Sequence, residues 1–131
     1  MSTIFTRIIN GEIPGIFVHR DNHCVAFLDI RPLAHGHVLV VPIAEVDHWI
    51  DLPAELSSHL FAVAQRIGVA QQRAFACERV GLIIAGYEVP HTHLHLVPTR
   101  SMSQLDFANA AATVSRDDLE AAAAAIIACL S

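Results

Sequence analysis

The sequence predicts an α+β fold: a five-stranded antiparallel sheet with one long helix packed on it and a further helix at the C-terminus. Three observations predict it. Apolar, β-branched runs of strand length come in two groups, one before residue 43 and one after residue 78. Only one long helical pattern lies between the groups, which favours antiparallel pairing over βαβ winding. At 131 residues the chain is long enough for one core and too short for two, so a single domain spanning 1–131 is expected.

The elements follow in order. TIFTRII (3–9) is an amphipathic stretch of one or two helical turns, stopped by Asn10-Gly11 and Pro14-Gly15. IFVHR (16–20) and CVAFLDI (24–30) form a hairpin around Asp21-Asn22-His23. HVLVVP (37–42) is almost wholly apolar and so reads as a buried central strand. From Pro53 to about Phe75, Leu56, Leu60, Val63, Ile67 and Ala70 recur at intervals of three and four, the pattern of a helix with one apolar face. Pro53 suits its first turn. RVGLIIAG (79–86) and HTHLHLVP (91–98) supply the fourth and fifth strands, and Ser115 with Asp118 resembles a capping box opening a closing helix.

Composition narrows the partners. The net charge is −5 and the eight Lys and Arg residues form no basic block, which argues against a DNA or RNA partner. Small anions remain possible ligands, held by imidazoles or backbone N–H groups. Cys24, Cys77 and Cys129 are odd in number and far apart, as expected of reduced thiols. The start lacks a secretory pattern and no run is long enough to span a membrane, so a cytoplasmic protein with no membrane partner is expected.

Nine histidines are present, and three of them, His91, His93 and His95, fall at every second position. On a strand, such residues share one face. They could be solvated side chains, although nothing structural asks for histidine three times. They could be metal ligands, although His91 and His95 would lie about 13 Å apart at Cα, near the limit for sharing an ion. Or one imidazole could attack phosphorus while its neighbours hold the phosphate, since an imidazole with pKa near 6.5 is largely neutral at pH 7.

His91-Thr92-His93-Leu94-His95-Leu96-Val97 resembles the histidine-triad (HIT) signature His-φ-His-φ-His-φ-φ, with Thr92 the one imperfect apolar position. IFTRIINGEIP, VAFLDIRP and GHVLVVP extend the likeness, in matching order, over residues 4 to about 99; residues 100–131 form a C-terminal extension outside it. The resemblance implies an α+β homodimer that binds a purine nucleotide and cleaves at its α-phosphate, through a covalent nucleotidyl-histidine intermediate. Hydrolases of nucleoside phosphoramidates, hydrolases of dinucleoside polyphosphates and nucleotidyl transferases are among its members. It makes His93 the nucleophile, His95 the phosphate-holding imidazole, His91 a supporting one and His37 the additional histidine beside the triad. It likewise makes Asp29 the acceptor for ribose hydroxyls and Ile4, Phe5, Ile8, Phe27 and Ile30 the walls around the base. His19, His23, His48 and His59 match no role and read as surface or structural residues.

Two departures matter. Many members bind structural zinc through a Cys-x-x-Cys pair and two histidines. Here Thr3 and Thr6 stand in the cysteine positions and Glu45 in that of a histidine, so no metal or other cofactor is expected. The family's Asn and Gln positions before the triad are replaced by Ala85-Gly86-Tyr87-Glu88-Val89 in a shorter loop. Glu88 could protonate a leaving group or repel a polyphosphate, and Tyr87-Glu88 could equally be a plain turn. The shortened loop also leaves room for an alternative, a nucleotide-binding module with little turnover that acts through a protein partner.

Overall fold

A computed structural model describes residues 2–130. Thr3 caps the first helix, α1 (Ile4–Ile9), its hydroxyl accepting from Thr6 N–H, and the helix ends at Asn10. The hairpin pairs β1 (Phe17–Arg20) with β2 (Cys24–Leu28), and β2 pairs in turn with the central β3 (Val38–Pro42). The long helix α2 (Ala54–Ala74) starts after Pro53 and is followed by β4 (Arg79–Ile83) and β5 (Leu94–Thr99). Ser115 caps α3 (Arg116–Cys129) by accepting from Asp118 N–H.

The sheet order is β1-β2-β3-β5-β4, with every neighbouring pair antiparallel. β3 and β4 therefore run parallel, with β5 inserted between them, and α2 makes the crossover. Alternation along each strand sends residues to two different cores. Ala26, Leu28, Val38, Val40, Leu94 and Leu96 face α2 and α3, where they meet Leu60, Val63, Ile67, Leu119 and Ile126. Each fully buried Val, Leu or Ile among them contributes about 1.5–3 kcal/mol. Val25, Phe27, Leu39 and Val41 face the other way, onto Phe5 and Ile9 of α1. No described helix is long and apolar enough to cross a membrane.

Two strand boundaries differ from the sequence expectation by three residues; β2 stops at Leu28 rather than Ile30, and the remaining differences are of one residue. β4 stops at Ile83 rather than Gly86, because Gly86 adopts φ +87° and turns the chain away. β5 begins at Leu94 rather than His91. Residues 89–92 leave the ladder: His91 N–H bonds Val89 O at 2.8 Å, while Thr92 offers both N–H and hydroxyl to Val46 O, each at 2.7 Å. Only His95 of the three spaced histidines therefore sits in a strand.

Candidate active site

The three imidazoles still converge, although two of them reach the site from a loop. His93 and His95 have ring centroids 4.8 Å apart, and Phe5 of α1 packs edge-on against His93 at 4.9 Å and His91 at 5.8 Å. His93 and His95 close one end of a cleft otherwise lined by Ile4, Phe5, Ile8, Phe27, Leu39 and Val89, with Asp29, Ile30 and Glu88 also on its wall. Ile30 is 67% exposed and Ile4 46%, as expected of side chains waiting to be covered. The cleft thus gathers every residue singled out from the sequence except His37 and His91, which lie fully buried behind it.

Hydrogen-bond polarity fixes the protonation of each ring. His93 Nδ1 lies 2.7 Å from His91 O. A carbonyl can only accept, so Nδ1 carries the proton and Nε2 keeps its lone pair. At His37 the logic runs the other way. Leu33 N–H donates to His37 Nδ1 at 3.0 Å, so the proton of His37 is on Nε2. Nε2 donates to His95 Nδ1, 3.0 Å away, which leaves the proton of His95 on its own Nε2. Two neighbouring rings thus offer opposite functions, a bare nitrogen on His93 and an N–H on His95.

Burial keeps these rings neutral. It pushes the pKa of His95 down to about 3, with His37 and His93 adding to the effect, and that of His37 down to about 4, with His93 contributing. His93 is lowered for the same first reason, against the partly opposing bond to His91 O and the charge of Glu88. Asp29 moves the opposite way. Burial raises its carboxyl to about 6 and Glu88 adds to the rise, despite the bond from Arg31 N–H at 2.8 Å. Its other oxygen lies 3.6 Å from His37 Nε2.

His91 supports the loop. Its Nε2 donates to Pro42 O at 2.7 Å, so its Nδ1 must accept, and the Thr3 hydroxyl donates to it at 2.7 Å. Glu45 closes this cluster, its Oε1 accepting from Thr3 N–H at 2.8 Å and from the Thr6 hydroxyl. One group of hydrogen bonds therefore ties the start of α1, the segment after β3 and the triad loop together. These residues do not fit structural zinc. Two neutral hydroxyls replace thiolates, and the imidazole nitrogen and carboxylate a metal would need are already engaged with them.

Some positioning residues were not visible as such in the sequence. Gln71, on α2, is fully buried and donates Nε2–H to Gly36 O at 2.8 Å and Leu96 O at 3.1 Å, pinning the segment before His37 to the strand of His95. Its place four residues after Ile67, on the apolar face of α2, was the signal for it. The Leu33 N–H has no side-chain signature. Phe107, whose ring lies 4.9 Å from that of His95, comes from the C-terminal extension.

Fold and site together define a class: an α+β domain that sets an imidazole with a bare nitrogen beside one with an N–H at the end of an apolar cleft. Residues 10–102 match the HIT domain. The chain belongs to the HIT domain family. An uncharacterized HIT-like protein of Methanocaldococcus jannaschii is 38% identical over 101 residues, covering 72% of this chain and 77% of that protein. The adenosine 5'-monophosphoramidase of Saccharomyces cerevisiae is 35% identical over 98 residues, covering 74% of this chain and 62% of that one. A zinc-bound histidine triad family protein of Mycobacterium smegmatis superposes with TM-score 0.84 at 31% identity, over 99% of this chain and 94% of that one.

Proposed function

We propose that the protein is a nucleotide hydrolase or nucleotidyl transferase acting at the α-phosphate of a purine nucleotide, with phosphoramidates as its preferred substrate class. The observation that carries this reading is the pairing of the His93 lone pair with the His95 N–H. The name of the yeast relative, an adenosine 5'-monophosphoramidase, supports a phosphoramidate.

In this reading the base slots between Ile4, Phe5, Ile8, Phe27 and Ile30, and the ribose hydroxyls donate to Asp29. His93 Nε2 attacks phosphorus as the P–N bond to the leaving amine breaks. Glu88, the other carboxyl on the cleft wall, relays a proton from solvent to that amine. His95 Nε2–H holds a non-bridging oxygen, and His91 O stabilises the charge that the attacking ring acquires. Water then attacks phosphorus, the P–N bond to His93 breaks, and the nucleoside monophosphate leaves. A nucleoside 5′-phosphoramidate mixed briefly with the protein should leave an acid-labile nucleotidyl adduct on His93, detected by intact-mass spectrometry. Binding of a purine mononucleotide without adduct or product would favour the binding-module alternative instead.

The raised carboxyl of Asp29 gives a pH signature. Binding the ribose needs the carboxylate, so KM for a ribonucleotide substrate should rise as pH falls through about 6, where Asp29 takes up its proton. A 2′,3′-dideoxy substrate should show a flat KM over the same interval. An identical rise with both would remove Asp29 from ribose recognition.

The active species in this reading is a homodimer. β4 is an edge strand, and Leu82 on it is 42% exposed beside Phe61 (42%) and Val69 (46%) of α2, an apolar strip that a second copy would cover by extending the sheet. Phe61→Asp should convert a dimer to a monomer in sedimentation equilibrium; a wild-type monomer would end the idea. Free Cys24, Cys77 and Cys129 support a reducing, cytoplasmic setting.

A further inference from the structure

On the sheet face opposite the triad, three side chains of metal-binding type meet around one oxygen of a fourth, a carboxylate. The hairpin between β1 and β2 brings them there. Phe17 pairs with Phe27 and Arg20 with Val25, but the register shifts between Phe17 and His19, so that His19 lies opposite Ala26. Ala26 belongs to the core under the helices, whereas Phe27 and Val25 belong to the other core. The bulge thus turns His19 to the helix side, away from the face that strict alternation from Phe17 would give it.

Asp21 in the turn uses its two oxygens differently. Oδ1 accepts from His23 N–H at 2.7 Å and Cys24 N–H at 2.8 Å, which suffices to shape the turn. Oδ2 accepts from His19 Nε2 at 2.7 Å and from His59 Nε2 of α2 at 2.7 Å, with Cys24 Sγ at 3.6 Å. Donor atoms of His19, Asp21 and Cys24 all lie within 4.8 Å of one another. Burial pushes the Asp21 carboxyl up, but the hydrogen bonds from His19, His23, Cys24 and His59 outweigh it and hold the group well below the usual carboxylate range. His23 stands in reserve, its ring centroid 5.3 Å from that of His59.

We propose that His19, Asp21, Cys24 and His59 form a binding site for a divalent transition-metal ion, Zn²⁺ by the mixture of ligands, separate from the triad. Among His19, Asp21 and Cys24 the spacing is close to what the ion needs. With bonds of about 2.0 Å to N and O and about 2.3 Å to S, a tetrahedral site has N···O edges of about 3.3 Å and S···O edges of about 3.5 Å. The sulfur already stands at its distance and the two imidazoles need to withdraw from Asp21 by roughly 0.6 Å each, while His59, outside the group that is mutually within 4.8 Å, must also swing toward the other donors. Side-chain exposures of 35% at His59 and 26% at Asp21 leave a way in, while Cys24 forms the closed floor. On binding, each imidazole moves its proton from Nε2 to Nδ1 and the Cys24 thiol releases one proton to solvent. Burial and the neighbouring Asp21 hold that thiol up at about 12, so the metal must supply the driving force for its loss.

The experiment is a titration of the chelator-treated full chain with Zn²⁺ by calorimetry and with Co²⁺ by absorption. One equivalent is expected to bind, with the intense visible bands of tetrahedral Co²⁺ and a near-ultraviolet thiolate-to-metal band. His19→Gln/His59→Gln should weaken Zn²⁺ binding beyond the about 100-fold that outer-shell substitutions typically cost. Cys24→Ser should abolish the thiolate band, and thermal midpoints confirm which variants are folded. His37→Gln/His95→Gln should leave the titration unchanged, since Asp29, His37 and His95 make the other cluster of ligand type among the described residues. Absence of stoichiometric binding, its survival in His19→Gln/His59→Gln, or its loss in His37→Gln/His95→Gln would each overturn the proposal.

Discussion

His93→Ala is expected to lower kcat/KM for a purine nucleoside 5′-phosphoramidate by about 10⁴-fold or more, about 5.4 kcal/mol of transition-state stabilisation, while purine mononucleotide affinity changes little. The asymmetry follows from where the ring sits. His93 meets the cleft at its end, and the apolar walls and Asp29 proposed to hold the nucleoside come from α1, β2 and the segment after β2. Removing the imidazole removes the proposed nucleophile and leaves those walls in place, at the cost of its one edge contact with Phe5. His95→Ala should cost less, about 10²–10³-fold, because it deletes one donor to a phosphate oxygen and leaves the attacking nitrogen in place. Steady-state kinetics alongside nucleotide titration separate the two effects. A His93→Ala protein within tenfold of wild-type turnover would refute the covalent route.

Gly36→Ala should destabilise the fold by about 2–4 kcal/mol, read from the urea midpoint, and lower turnover further through His37. Gly36 has φ +90°, and a Cβ built on it would lie 2.3 Å from a ring carbon of Phe75. Two penalties therefore coincide, backbone strain and steric overlap. They can be separated: in a Phe75→Ala background the overlap is gone, and Gly36→Ala should cost only the conformational part, about 1–2 kcal/mol. Equal costs in both backgrounds would mean the ring yields freely. The functional loss has a route on the page, because Gly36 O is held by Gln71 and the next residue, His37, orders the proton of His95.

How much of this was legible in the sequence depends on the range of the interaction concerned. Periodicity found α2 and all five strands, since burial of one face imprints itself on neighbouring residues. The ends of β4 and the start of β5 were misjudged for two specific reasons. Gly86 takes a positive φ that composition alone does not reveal, and Thr92 is drawn off the ladder by Val46, forty-six residues earlier. The shared face of His91, His93 and His95 was inferred from strand alternation, but only His95 obtains it that way; the other two owe it to loop bonds with Thr3, Pro42 and a neighbouring carbonyl. The cleft residues were identified through resemblance, and the structure gathers them; taken alone, Phe27 and Ile30 would both read as core, and Phe27 is core as well as cleft wall whereas Ile30 is 67% exposed. What stayed hidden were contacts with no local pattern: the Leu33 N–H on His37, the buried amide of Gln71, and the bulge that aims His19 at the helices.

The cluster of Thr3, Thr6, Glu45 and His91 has a consequence for the conditions under which the triad loop keeps its shape. A thiolate-and-metal clasp fails when the ion is sequestered or the sulfurs are oxidised. Here the same junction is fastened by two hydroxyls, a carboxylate and an imidazole, none of which is a thiol or depends on a metal supply. Peroxide and chelators have nothing to act on at this junction. Acid does, because the bonds that Glu45 accepts from both threonines are strongest when it is ionised, and those same bonds, the Thr6 hydroxyl first, hold its carboxyl below the ordinary range. The geometry of the triad loop at this junction is thereby insulated from redox and metal stress, and its weak point is moved to low pH.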